Sequence, residues 1–540
     1  MFNITQNPVN NNNSDFFNAK LPLPPNEDTC ENRSQDKSLG DRMNKFLKEN
    51  GFGNFADNFQ NIKNRILQMS RNSSNYIGNI SNSIKEIYKC HKSGLHVSSE
   101  DIITRVADSD LISVDIGGTH VKVALVKKGK TVKDAEFLFD LDNKDFKRDI
   151  KDDEKIVEVF MDELAKKILG YTKDKDVSLS KFAIIWSNPV VSKEFIDGDY
   201  KSITGIVSGI SEGLYEKSEW YCKTKLKEGE KGVPLKDGDD LGEMFRETFR
   251  KRGILVKRLI IGNDTVFTQK ALPGAVAGAV LSTGGNAGCA YFDGEICNLE
   301  CGGVIKVFSD ELSKPDKLIH EYQENGELDL QHLCTGYWFS PIFEQYVLAA
   351  SDNEVAEFSN LAKQIRAFAE NKDKLKDQER TFVKNKYISY AAKNSDLLLD
   401  DDEFSKLTSV GSEEVNFFKN YTKEEREAFV ILSKNLIDRA ARAGAGIIYS
   451  SIADKLDNFS FRNQNITIAL DSSMCVYMFE YYSKLRNYLN ELIDGRLTND
   501  DFSNGKNVKI VLLSDKDYKL TADKRITVPT VGGLYSLMDF

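Results

Sequence analysis

No stretch of this 540-residue chain is apolar for long enough to cross a bilayer. Its polar opening, MFNITQNPVNNNNSDFFN, lacks the basic start and the apolar core of an export signal. Both absences argue against membrane insertion and secretion, so the expected location is the cytoplasm. Cysteine is scarce: eight residues in a chain of this length cannot staple a fold, and they read as reduced thiols. The spacing of Cys297 and Cys301 hints at metal, but no second cysteine or histidine cluster completes four ligands, so packing thiols are expected. Basic charge is also in deficit. A formal net charge of −10 disfavours nonspecific nucleic-acid binding and leaves room for a nucleotide bound locally.

What is present reads as globular, with 40% hydrophobic and 29% charged residues. The length exceeds what one core organises, so two domains with a cleft are expected. Residues 1–37, rich in Asn, Ser and Pro, read as a disordered tail. Over 38–107, apolar positions such as Met43, Phe46, Leu47, Ile62, Ile66 and Leu67 recur at helical spacing. A small lobe is expected over 108–262, rejoined by about 520–540, and a large lobe over 263–519.

In LISVDIGGTHVKVALV, two apolar runs flank Gly117 and Gly118. Glycines there permit positive φ and a turn whose backbone N–H groups converge on a phosphate, while Asp115, closing the first strand, suits a hydrated Mg²⁺. A second such turn, LSTGGNAGCAYF, offers Ser282, Thr283, Gly284 and Gly285 as donors. Two turns of one type imply two related halves facing one cleft. Helical spacing marks Leu241, Met244, Phe245 and Phe249, with Asp239 or Asp240 as cap and Gly253 as stop. The strand ILVKRLIIG follows, so Asn263-Asp264-Thr265 falls at the carboxyl end of a buried strand, where open α/β sheets collect ligands. Further on, 416–456 reads as helix, NITIALD as a strand, and the acids Asp400 to Glu403 as a surface loop.

In order, DIGGTH, NDT, STGGNAG, NLECGG, RAARAGAG and IALDSS resemble the eukaryotic-type hexokinase and glucokinase family from about Leu111 onward. The resemblance implies an α/β fold of two lobes with a central cleft, of the actin-like ATPase (ribonuclease H-like) kind, preceded here by N-terminal helices. It implies Mg²⁺ and ATP, a hexose as the other substrate, and no nucleic-acid or membrane partner; oligomeric state is left open. Asp264 matches the family's catalytic base, which takes the proton of the sugar's 6-hydroxyl. Ser187, Asn263, Asn286 and Glu300 match sugar ligands. Gly117, Gly118 and Thr119 match the first phosphate loop, and Thr283 with Gly284 the second. Asp115 corresponds to the acid near the metal, acting through water; Asp471, Ser472 and Ser473 resemble the adenosine-side turn, and Gly532 with Gly533 the last nucleotide loop.

Plainer roles exist for the same residues: NDT as a helix N-cap, Glu300 as a solvated acid, Asn286 as a turn residue. Three departures also stand out. His120 replaces the Asn that usually follows GGT, placing an imidazole near the phosphates. The family's Trp-Thr-Lys-Gly is replaced by Ile206-Val207-Ser208-Gly209, which removes a lysine, with Lys201 and Lys217 nearby. Gln331 stands where the family has a sugar-binding glutamate, losing a charge-assisted bond. The alternatives are therefore a catalytically weak sugar or nucleotide sensor, and a kinase of the same superfold acting on another small sugar.

Overall fold

The runs flanking the first glycine turn form β1 (Asp110–Ile116) and β2 (His120–Val126), antiparallel with Ile116 opposite Val121. Val114, Val121, Val123 and Leu125 are buried, as β-prone apolar side chains on a covered pleated face should be. The computed structural model describes residues 38–71, 105–117, 120–146, 150–172, 179–187, 190–197, 200–207, 232–272, 274–282, 284–290, 296–299, 301–353, 355–371, 381–408, 411–453, 456, 466–493, 508–513 and 527–538. The expected tail, 1–37, lies outside them.

Five more strands complete the first sheet: β3 (Glu136–Asp142), β4 (Leu179–Trp186), β5 (Val190–Asp197), β6 (Tyr200–Val207) and β7 (Leu255–Gly262), in the order β3-β2-β1-β4-β7-β6-β5. Here β1, β4 and β7 run parallel, and the hairpin β5–β6 extends the edge. The helices Ile156–Tyr171 and Leu241–Lys251 bury their apolar sides against this sheet. Of the two acids offered as cap for the second helix, Asp240 is used, accepting from Glu243 N at 3.0 Å. Gly253 stops that helix at φ +81°.

The second sheet repeats the plan. Its strands are β8 (Ala277–Leu281), β9 (Gly285–Ala290), β10 (Ile296–Asn298), β13 (Ile466–Asp471) and β14 (Val508–Leu513), ordered β10-β9-β8-β13-β14, with a separate ribbon of β11 (Lys306–Val307) and β12 (Leu328–Asp329). Counted within each half, both sheets have three antiparallel strands followed by two parallel ones on the far side of the first. The two related halves read from the glycine turns are thus present as one topology used twice.

Two helices lie between the sheets, Asp264–Ala271 and Val528–Met538. Their residues Phe267, Ala271, Val531 and Leu534 share an apolar cluster with Ala183, Ile185 and Ile260 of the first sheet and Ala469 and Leu513 of the second. The approach is so close that a Cβ on Gly532 would sit 1.7 Å from the Phe267 carbonyl oxygen, and one on Gly533 2.4 Å from Ser113 Oγ. This corrects the reading of Gly532 and Gly533 as a nucleotide loop: both are buried in mid-helix, where a missing side chain permits helix-on-helix and helix-on-sheet contact.

Outside the second sheet, the helix Lys423–Ser450 begins in a capping box of Thr422 and Glu425. It carries Gly444 where a Cβ would meet Tyr481 Oη at 2.5 Å. The N-terminal helices Leu39–Glu49 and Phe59–Arg71 follow the expected apolar spacing, burying Met43, Phe46, Leu47, Ile62 and Ile66 in the core of this half. Arg42 pairs with Glu357, and Arg65 reaches both oxygens of Glu311 at 2.8 and 2.5 Å. Phe52 packs edge-on against Tyr346, whose hydroxyl shares buried Arg439 with Asp316. The acidic run is not a loop: Asp401, Asp402 and Glu403 open the helix Asp401–Thr408, where acids favour the positive end of the helix dipole, and Asp401 pairs with Arg426 at 2.9 Å. No helix among the described residues is long and apolar enough to cross a membrane.

Candidate active site

Register fixes what gathers at the carboxyl edge of the first sheet. Ile116 of β1 lies beside Trp186 of β4, and Ile185 beside Gly262 of β7, so Gly117, Ser187 and Asn263-Asp264 leave three adjacent parallel strands together. The Ser187 hydroxyl donates to the Ile116 carbonyl at 3.2 Å. Asp115, half-buried one residue before the end of β1, accepts from Thr527 Oγ1 at 2.7 Å, and Thr527 is in turn paired with the Thr530 hydroxyl. Gly117 is not among the described glycines with positive φ. Its N–H closes the turn on the His120 carbonyl at 2.9 Å, and a Cβ would stand 3.2 Å from that oxygen, so close approach and not left-handed geometry requires glycine here. Gly118 and Thr119 lie outside the described residues. His120 is exposed and turns along the sheet to Asp140, with Nδ1 2.9 Å from Oδ1.

NDT does act as a cap, as its plainer reading required. Asn263 precedes the helix Asp264–Ala271, and its Oδ1 accepts from Thr265 N at 3.0 Å and Thr265 Oγ1 at 2.8 Å. Yet this is no surface helix, since Thr265, Val266, Phe267, Thr268, Gln269 and Ala271 are all buried. Asp264, half-buried, is its first residue, at the end where the dipole favours a carboxylate. The buried Asn263 Nδ2 has no hydrogen-bond partner among the described residues.

The second edge is built alike. β8 and β13 are parallel, and beyond their ends Ser472 Oγ donates to the Leu281 carbonyl at 2.7 Å, Ser473 N donates to Ser282 Oγ at 3.2 Å, and Gly336 N donates to the Ser282 carbonyl at 2.8 Å. Ser282 N–H closes the turn on the Gly284 carbonyl at 2.9 Å. Asp471, Ser472 and Ser473 are therefore carried to the second glycine turn. Gln331 sits over that turn: Gly285 N approaches its Oε1 at 3.5 Å, and a Cβ on exposed Gly284 would find only that oxygen, also at 3.5 Å. Beside it, Asp329 holds Lys306 at 2.5 Å. Burial pushes the Cys334 thiol up and the Cys475 thiol to about 12, so neither serves as a nucleophile. Thr283 and Glu300 lie outside the described residues, as do Ser208, Gly209 and Lys217; Lys201 lies in β6, opposite Ile196.

Two residues within the quoted motifs had been given no role. Asn298 Oδ1 accepts from Asn286 Nδ2 at 2.7 Å and lies 3.5 Å from Thr265 Oγ1, joining the edge of the first sheet to the strand that leaves the second turn. Thr265 and Asn298 are the last letter of NDT and the first of NLE. Thr527 had no signal beyond its place before the last helix.

Asp115 is a single carboxylate, and among the described residues no group of three or more His, Cys, Asp and Glu side chains is placed to hold a metal. That donor set fits Mg²⁺ carried mainly by phosphate oxygens and water, not a caged ion.

No curated protein matches the chain in sequence. Among solved structures, a hexokinase from Schistosoma mansoni complexed with glucose is similar at 13% identity, covering 93% of this chain and all of its own, with a TM-score of 0.56. A second hexokinase is similar at 14% identity, covering 93% of this chain and 99% of its own, with a TM-score of 0.55. These likenesses give the fold, two lobes of the actin-like ATPase kind. The hexokinase family model matches residues 277–518, which hold the second glycine turn, Asn286, Asn298, Gln331 and the Asp471-Ser472-Ser473 turn. That match spans somewhat under half of the chain, and over it the chain is similar to hexokinases in sequence as well as in fold.

Proposed function

We propose that the protein is an ATP-dependent hexose kinase, transferring the γ-phosphoryl group of ATP to the 6-hydroxyl of a hexose such as glucose with Asp264 as general base. The observation that carries this reading is the approach of Asn298, hydrogen-bonded to Asn286, to within 3.5 Å of Thr265 in NDT, which brings the residue pair Asn263-Asp264 near the strand that leaves the second glycine turn. The family-model match over residues 277–518 supports it, as does the likeness in fold to the Schistosoma mansoni hexokinase complexed with glucose.

In this mechanism the sugar oxygen forms a bond to the γ-phosphorus as the bond from that phosphorus to the bridging oxygen of ADP breaks. The hydroxyl proton passes to the Asp264 carboxylate, a contribution worth about 10²- to 10⁴-fold. Asn263, Asn286 and Gln331, with Ser187 and Glu300, hold the hydroxyls. The glycine turns, with Thr119, Thr283, Ser472 and Ser473, receive the nucleotide, and Asp115, steadied by Thr527, receives hydrated Mg²⁺. When bound, Mg²⁺ neutralises phosphate charge. Lobe closure excludes water, which would otherwise compete for the phosphoryl group.

The replacement at Ile206-Val207-Ser208-Gly209 and the amide at Gln331 favour one other reading, a weak relative that binds without turning over. One assay separates the two: ADP release by the full chain with Mg²⁺-ATP across a hexose panel, with Asp264→Ala alongside. Sugar-dependent turnover lost in the variant is the expected result. Hexose binding by calorimetry with no turnover in the wild type overturns the kinase and leaves the sensor.

A further inference from the structure

The amide network between the two edges has a direction that backbone chemistry fixes. A backbone N–H only donates, so the Asn263 atom facing Thr265 N (3.0 Å) and the Asn286 atom facing Ala287 N (2.7 Å) are carbonyl oxygens. Asn286 therefore presents Nδ2 to Asn298, and the Asn298 atom that receives it at 2.7 Å is an oxygen. Thr265 has one hydroxyl proton, and at 2.8 Å against 3.5 Å it goes to Asn263. The Asn263 carbonyl thus accepts two bonds from the protein and the Asn286 carbonyl one, while one N–H of Asn286 and both N–H groups of buried Asn263 remain without a partner among the described residues.

We propose that Asn298 is a positioning residue that locks the Asn286 amide with its N–H toward the substrate, so that this side of the site favours sugar oxygens that act as hydrogen-bond acceptors. The inference rests on the hexose-kinase reading and adds a polarity to it. The acids, Asp264 foremost, take protons from the sugar; the paired asparagines give them. A ligand that presents only donors to the asparagines, such as a protonated amine, meets N–H against N–H at Asn263 and is disfavoured. Discrimination of this kind is strong because buried polar groups are left unpaired.

The test uses the full chain and glucose with three variants, measuring KM, kcat, calorimetric Kd and Tm. Asn298→Leu keeps the shape and loses the acceptor; it is expected to raise KM and Kd fivefold or more with kcat within threefold. Asn298→Asp keeps an acceptor oxygen and is expected to stay below a fivefold change. A rise below fivefold in Asn298→Leu, or an Asn298→Asp as impaired as Asn298→Leu, overturns the proposal. Should Asn298→Leu fail to fold, Asn298→Ala removes the same acceptor and is expected to raise KM at least threefold; a smaller change overturns the proposal equally. A wild type that neither binds nor phosphorylates glucose or any other hexose sinks the kinase reading and this inference with it. Failure in the variants alone sinks only the inference.

Discussion

The two sheets share more than strand order. In each, the serine just beyond the fourth strand of the repeat donates its hydroxyl to the carbonyl of the last residue of the first: Ser187 to Ile116 at 3.2 Å, and Ser472 to Leu281 at 2.7 Å. In each, the first N–H of the glycine turn is used to close the turn. The side chains carried past these latches differ. The first edge carries two carboxylates, Asp115 and Asp264, whereas the second carries one, Asp471, among the hydroxyls and amides of Ser472, Ser473, Asn286 and Gln331. Backbone topology sets where each turn stands; the next few side chains set how acidic that edge is.

The largest expected effect breaks this contrast. Asp264→Asn should lower kcat by about 10²- to 10⁴-fold while leaving thermal stability nearly unchanged, read by steady-state kinetics and calorimetric melting. Next comes the seam between the sheets. Gly532→Ala drives a methyl into the Phe267 carbonyl and should cost about 3 kcal/mol in denaturant unfolding, with loss of cooperativity if the halves separate. Ser472→Ala and Ser187→Ala compare the latches directly. Ser472 makes the shorter bond and also accepts from Cys475 N at 3.0 Å, so its loss should cost about 1–2 kcal/mol against ~0.5–1 for Ser187, and equal costs would break the comparison.

The smallest effect is a pH response confined to the first half. The Arg252 guanidinium, gripping Asp162 at 2.5 and 2.8 Å, lowers its carboxyl to about 2, opposed by burial and helped by Lys166. A carboxyl lowered on folding adds stability above its unfolded pKa of about 3.9 and loses it as pH falls toward 2. Because Arg252 is 38% exposed, screening limits the gain. Asp162→Asn should therefore cost about 1 kcal/mol at pH 7 and only a small fraction of that near pH 2, measured by urea titration at both.

Local rules made much of this legible. Apolar spacing with Asp240 and Gly253 marked one helix, alternation marked β1 and β2, and two glycine turns foretold a doubled plan. What stayed hidden was non-local. Gly532-Gly533 resembles a turn by composition, and only the Phe267 carbonyl pressed against it explains glycine inside a helix. The Asn298–Asn286 pair joins β10 to β9, and the motif spelling gave each letter a separate task without showing that one orients the other. Asp400 to Glu403 were read by charge alone, which ignored the preference of acids for a helix start.

Asp115 and Thr527 stand 412 positions apart. A growing polypeptide displays the acid hundreds of residues before it receives the threonine that steadies it, so an intermediate paused between the two lacks this contact. Separately made fragments split between the two halves should regain that contact only on reassociation, a dependence written into chain order.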